Sequence, residues 1–356
     1  MRRLLDVATI EPPWEAGLVS LPRYNAVTAR ASRPSEQPCM KVLICSDGSP
    51  QAENALRFTG MIAEAARAEL TLLAITEKPG QEDAIFDSLR RGQQYFNERG
   101  LQAELITKAG EPIAEIVKRT RETHYDLVVI GAIRKGTRGP FLMSAKAYKI
   151  IKAVEPPVLI VIGERSTLKR ILICSGGAKY IERAVSFAGS IARSVGAAIT
   201  LFHVVAELPA DYSDLIKMEE DVNLLLHSQT GLGQNLRHEK EALEKMGVAS
   251  EVRLRHGLVI SEVVKEIRRG DYDLVVTGSS PESATLRRYI MGNITREIVN
   301  RAECPVLVVR GGEEPAGIGQ SLKGFFSDIT HGFGQSKDAE SDTEAKTRQQ
   351  GNAEKG

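Results

Sequence analysis

Short runs of aliphatic and β-branched residues alternate along this chain with longer stretches whose apolar positions recur at helical spacing. Val42 to Cys45, Leu70 to Ile75, Leu127 to Ile130 and Val158 to Ile162 are apolar runs of strand length, while Ala103 to Thr107 alternates. Between them, Ala55, Phe58, Ile62, Ala65 and Ala66 share one helical face, as do Ile85, Leu89 and Phe96, and then Ile113, Ile116, Val117 and Thr120. Ser49 and Pro50 supply an N-cap and a first-turn proline for the first of these helices. Gly100 closes the second, and a last helix spans roughly Tyr148 to Ala153. Strands without polar alternation belong to a parallel sheet covered on both faces, so the pattern predicts an α/β fold of three layers. The expected strand order is 3-2-1-4-5.

The same pattern is then repeated. Tyr125-Asp126-Leu127-Val128-Val129-Ile130-Gly131 returns 147 positions later as Tyr272-Asp273-Leu274-Val275-Val276-Thr277-Gly278, and Gly110 to Lys118 matches Gly257 to Lys265 at the same offset. Val42 to Ser46 returns as Ile171 to Ser175 at an offset of 129, and Pro157 to Val161 as Pro305 to Val309 at 148. The blocks keep their order, so the chain is a duplication, and the step from 129 to 147 places an 18-residue insertion after the second strand of the second copy. The expected organisation is an extension over residues 1–39, a first domain over 40–163, a linker from Glu164 to Leu168, a second domain over 169–311 and a polar tail over 312–356. The tail cannot bury a core and is expected to be disordered, although Leu322, Phe325, Phe326, Ile329 and Phe333 fall at roughly helical spacing within it. Met40, directly before the first strand, is a second candidate for the start of translation.

Composition narrows the function classes. Lys+Arg 47 against Asp+Glu 46 leaves a formal net charge of +1, which offers no global field for nucleic acid. No apolar run is long enough for a transmembrane helix. Asp6 breaks the only signal-like stretch, Met1-Arg2-Arg3-Leu4-Leu5, so a cytoplasmic protein is expected. Four cysteines in 356 residues are too sparse for a disulfide framework, and the six histidines show no zinc-ligand spacing. Cys45 and Cys174 stand at equivalent strand ends among aliphatic neighbours, which points to buried, unreactive thiols. Gly131 to Thr137 imitates a P-loop, but Lys135 precedes Gly136, so the required order is missing. No nucleophile elbow, general base or metal-ligand set is visible, and an enzyme ranks behind a binding or signalling protein.

In an open parallel sheet, ligands settle beyond the carboxyl ends of the strands where strand order reverses, here between the first and fourth strands. The loops concerned are Ser46-Asp47-Gly48-Ser49 and Gly131 to Ser144, with Ser175 to Ala178 and Gly278 to Asn293 as their counterparts. At these residues the chain resembles a known family. KVLICSDGSPQAENAL, the two Tyr-Asp-Leu-Val-Val strands, and the endings PPVLIVI and ECPVLVVR are similar to the universal stress protein family in tandem form, over residues 40 to 311. The resemblance implies two Rossmann-like, adenine nucleotide α hydrolase-like domains, each a five-stranded parallel sheet, packed as an internal pseudo-dimer. It also implies a stress-response role in sensing or signalling, with a homodimer of whole chains and an unidentified protein partner as further expectations.

In the family's ATP-binding branch an Asp after the first strand sits beside the adenine, which corresponds to Asp47, and backbone at the end of the second strand meets the base, which corresponds to Ile75 and Val204. A loop of pattern G-x2-G-x9-G-[ST] then holds ribose and phosphates, since glycines let backbone N–H groups approach an anion. Both copies depart from it. The first keeps Gly131 but has Arg134 and Ser144-Ala145 at the later positions. The second keeps Gly278, has Pro281, shifts Gly292-Asn293 by one residue, and carries Gly176 in place of the Asp. Arg134, Lys135 and Arg138, or Arg287 and Arg288, are candidates to replace the lost backbone contacts with charge-assisted bonds. The expected ligand is therefore ATP or ADP, held weakly and mainly by the first domain. The alternative is a degenerate member that binds no nucleotide and works as an interaction or regulatory module. In that alternative Asp47 only organises a turn and a helix start.

Overall fold

The computed structural model describes residues 40–77, 82–132, 145–176, 181–205, 222–279 and 293–310. The amino-terminal extension, the apolar stripe from Leu322 to Phe333 and the loops carrying Arg134, Ser144, Arg287 and Gly292 lie outside these residues. In the first half the apolar runs become β1 (Lys41–Ser46), β2 (Glu69–Thr76), β3 (Ala103–Ala109), β4 (Leu127–Ala132) and β5 (Val158–Ile162). The periodic stretches between them become α1 (Pro50–Ala66), α2 (Glu82–Asn97), α3 (Pro112–Glu122) and α4 (Ala145–Ala153). The second half follows with β6 (Arg170–Cys174), α5 (Glu182–Val195), β7 (Ala198–Val205), α6 (Val222–His227), α7 (Gly231–Lys245), β8 (Ser250–His256), α8 (Val259–Gly270), β9 (Leu274–Ser279), α9 (Asn293–Arg301) and β10 (Val306–Arg310). Helices α6 and α7 lie in the lengthened connection between the second and third strands of that half.

Within each half the sheet is parallel and its order is the one expected, β3-β2-β1-β4-β5 and β8-β7-β6-β9-β10. The structure adds a junction. β5 and β10 pair antiparallel, with Val306 opposite Ile160, Leu307 opposite Leu159 and Val308 opposite Val158, so the two five-stranded sheets form one sheet of ten strands. Every residue of β5 is buried, and so is β10 up to Val309. Left unpaired, such strands would be apolar sheet edges. Both faces of the sheet are covered by apolar clusters that run through the junction. One unites Val42, Ile44 and Phe58 with Ile171, Ile173 and Phe187; the other unites Leu43, Val128 and Ile160 with Leu172, Val275 and Val306.

The repeated Tyr-Asp pair fastens the amino-terminal ends of the central strands. The Asp126 carboxylate accepts the Lys41 N–H at 2.8 Å, and the Asp126 N–H reaches the Lys41 carbonyl at 2.8 Å. Asp273 repeats the arrangement on β6, accepting from the N–H groups of Lys169 (2.7 Å) and Arg170 (3.0 Å). The Tyr125 hydroxyl donates to Thr71 Oγ1 at 3.2 Å and accepts from Arg119 Nε at 2.8 Å, whereas the Tyr272 hydroxyl donates to Glu266 at 2.8 Å. The most recognisable sequence repeat is thus a structural clamp at the end of the sheet away from the crevice.

A second tie joins the halves. Arg310, at the end of β10, donates from Nη2 to the carbonyls of Ile151 (2.9 Å) and Lys152 (2.6 Å) at the carboxyl end of α4. A cation there also opposes the negative end of the helix dipole. Removing it with Arg310→Ala is expected to lower unfolding stability by about 1.5–3 kcal/mol, the range for hydrogen bonds to a charged group. Urea denaturation of the full chain checks this, and fluorescence and circular dichroism transitions should stay coincident because the core is shared.

Candidate functional site

The sheet order turns at β1: the chain moves outward through β2 and β3, then returns to the other side of β1 as β4. Loops leaving the carboxyl ends of β1 and β4 therefore diverge and leave a crevice. The first loop is tightly built. The Asp47 carboxylate accepts the Ser49 N–H at 3.0 Å, the Ser46 hydroxyl accepts the Gly48 N–H at 3.2 Å, and Gly48 takes a φ of 76° that favours glycine. Ser49 caps α1, its hydroxyl accepting the Ala52 N–H at 3.3 Å, and Pro50 fills the first turn. Asp47 thus does organise the turn, and it remains exposed at the rim.

A cavity of about 240 Å³ opens at this crevice. Its apolar floor is made by Ile75 from β2, Ile116 from α3, Ile130 from β4 and Ile150 from α4. Asp47, Gln51, Glu77 and Lys146 bring polar groups to it. Of the positions singled out from the sequence in the first half, Asp47, Ile75 and Gly131 all line this cavity, while Arg134 and Ser144 lie outside the described residues. Gly131 has a packing reason as well. A Cβ there would stand 2.3 Å from the Gln51 carbonyl oxygen and 2.8 Å from the Ala52 nitrogen, so β4 can pass under the first turn of α1 only as glycine. Cys45 also touches the cavity. Burial pushes the Cys45 thiol up to about 12, so it carries no thiolate near neutral pH even though the residue is not fully covered.

The second half builds the equivalent place differently. Val204 and Gly278 stand near the ends of β7 and β9; Gly292 lies outside the described residues and Asn293 is the first residue of α9. A Cβ on Gly278 would meet Ile181 Cδ1 at 2.5 Å, so a buried isoleucine lies over this strand end where the first half presents the backbone of Gln51. The Ser175 hydroxyl, counterpart of Ser46, donates to Glu239 Oε1 at 3.1 Å, and His203 Nδ1 donates to the Ser175 carbonyl at 2.9 Å. Glu239 comes from α7 and is only 2% exposed; its Oε2 has no hydrogen-bond partner among the described residues. Burial pushes this carboxyl up to about 7, the Ser175 hydrogen bond pulls against that rise, and the Glu182 charge adds to it. At the offset of 147, Glu239 corresponds to Gly92 of α2.

Three residues that matter here escaped the sequence reading. Glu77 and Lys146 are 69 positions apart and form an ion pair beside the cavity. Only the residue's place just after Ser144-Ala145, at the start of a helix, hinted at Lys146. Glu239 sits in a charged helical stretch that reads as surface, and no local signal marks it as buried.

Comparison with known proteins places this architecture. The model of the universal stress protein family matches twice, over residues 39–161 and 167–310. A universal stress protein of Synechocystis is 20% identical over 307 residues, covering 76% of this chain and 99% of its own length. One from Methanocaldococcus jannaschii is 27% identical over 176 residues, covering 48% of this chain and 95% of that relative. Among solved structures, a universal stress protein from Pseudomonas aeruginosa shares the fold with a TM-score of 0.59 at 15% identity, over 80% of this chain and 97% of its own.

Two expectations follow from the geometry. Gly131→Ala should cost about 1–3 kcal/mol in urea denaturation, because the clash is with backbone rather than a side chain that can swing away. For Glu239, the folded chain holds a proton between about pH 4.5 and 7 that the unfolded chain releases. Its contribution to stability therefore falls as pH rises through that window and stays low above it. Glu239→Gln should remove the fall, so the stability difference between variant and native chain should move in the variant's favour by about 3 kcal/mol from pH 4.5 to 8. Denaturation curves at both pH values check the sign and the size.

Proposed function

The chain belongs to the universal stress protein family, and from that premise we propose that it acts in stress response as a sensor or signalling protein whose first half binds an adenine nucleotide, ATP or ADP. The observation that carries this is the cavity at the β1–β4 crevice, where Asp47, Ile75 and Gly131 come together over an apolar floor. Flat aliphatic surface suits a purine ring, and a rim carboxylate suits an exocyclic amine. The two halves act as an internal pseudo-dimer in which only the first keeps the site. In the second, Gly176 replaces the rim Asp, the Ser175 hydroxyl is committed to Glu239, and Ile181 lies over Gly278.

A second reading applies to that half: it works as an interaction module. Its support is local. Leu258, before α8, is 72% exposed and Ile294, in the first turn of α9, is 45% exposed, whereas their counterparts in the first half are Glu111 and Lys146.

No helix among the described residues is long and apolar enough to cross a membrane. Calorimetric titration of the full chain with ATP and ADP tests the nucleotide reading. The expected outcome is one nucleotide per chain and about tenfold weaker binding in Asp47→Ala, the loss of one charged hydrogen bond. No heat at high micromolar nucleotide would remove the reading and leave the interaction module standing.

A further inference from the structure

Among the described residues that line the first-half cavity, Lys146 is the only cation, set against the carboxylates of Asp47 and Glu77. Lys146 is engaged with Glu77, through side chains that are 56% and 38% exposed. An ion pair this open to water contributes little, so another anion can take the place of Glu77 at small cost. A phosphate group carries more charge than a carboxylate and offers three acceptor oxygens to an ammonium with three donors. The fold does not call for the lysine. At the offset of 148 its counterpart is Ile294, and α9 forms at the same length as α4, nine residues. Without Lys146 the only charged groups on the described lining would be the carboxylates of Asp47 and Glu77, which disfavours a phosphorylated ligand.

We propose that Lys146 is a phosphate-contacting residue of the first-half cavity, and that Glu77 holds it until a phosphate takes its place. This inference rests on the nucleotide reading and sharpens it: the site selects phosphorylated ligands over the corresponding nucleoside. Lys146 supplies by charge what the departed glycines of the loop after β4 would supply by backbone N–H groups. Glu77 is the built-in competitor, which keeps the affinity low and makes the site respond to ligand charge.

Calorimetric titration of the full chain with ATP and with adenosine tests this on the native sequence, Lys146→Gln and Glu77→Gln, with thermal melts to confirm that each variant folds. Lys146→Gln should bind ATP about tenfold more weakly, while its affinity for adenosine stays that of the native chain. Glu77→Gln should bind ATP about threefold more tightly, again with adenosine unmoved. Native-like ATP affinity in Lys146→Gln would overturn the role of Lys146 and leave the nucleotide reading intact. An equal loss of ATP and adenosine would overturn it too, since that marks a general disturbance of the cavity. If the native chain binds neither ligand, the nucleotide reading itself fails and the inference falls with it.

Discussion

The antiparallel pairing of β5 with β10 is the constraint on which the rest depends. It joins only three residue pairs, yet those residues come from strands that are apolar on both faces. Each half on its own would end in an unsatisfied, hydrophobic edge, which is the geometry that promotes uncontrolled strand addition. Pairing the two edges removes both at once. Because the pairing is antiparallel, the two parallel halves run in opposite directions, so the carboxyl ends of their strands, and the crevices between them, lie at opposite ends of the shared sheet. The two candidate sites are therefore separate, and neither can complete the other.

Separation of that kind lets the two crevices diverge while the scaffold stays fixed. The clamps at the opposite strand ends are preserved in both halves: Asp126 holds Lys41 as Asp273 holds Arg170. Around the crevices the chemistry parts. The first half keeps an exposed rim carboxylate in Asp47, a floor of four isoleucines and the solvent-exposed Lys146–Glu77 pair. The second places Glu239 where the first has Gly92, and Ser175 gives its hydroxyl to that carboxylate. A carboxyl held this deep, with one oxygen unpartnered among the described residues, costs stability when it is ionised. The fold tolerates that cost because α7, which carries it, also contributes Leu243 to the shared core.

Much of this fold was legible in the sequence for a definite reason. Continuous aliphatic runs such as Leu127 to Ile130 read as strands buried on both faces, and a duplicated block order gives the same topology twice. The same continuity hid the β5–β10 junction, since a run that is apolar on both faces carries no mark of which neighbour it pairs with or in which direction. The site was legible where it depends on chain neighbours, as in Ser46-Asp47-Gly48-Ser49, whose turn and cap are local. It was illegible where it depends on residues far apart in sequence. Glu77 and Lys146 meet only because β2 ends and α4 begins at one crevice. Gly131 was legible as a glycine but not for its whole reason, because the approach of the Gln51 carbonyl is a tertiary fact.

The placement of the Tyr-Asp repeat bears on how family membership should be weighed. Those residues are the most conspicuous internal match, and all their bonds lie at the amino-terminal strand ends, where they secure the sheet. They would be retained by a chain that had lost every ligand contact. Matching the family over both halves therefore speaks to the scaffold, and the crevice residues are where the two halves differ. Those residues differ in polarity between the halves. Glu111 and Lys146, before α3 and at the start of α4, correspond to Leu258 and Ile294, before α8 and at the start of α9, so charged positions of the first half are exposed apolar ones in the second. A single duplicated fold can in this way carry charged positions in one half and exposed apolar counterparts in the other, on a shared core.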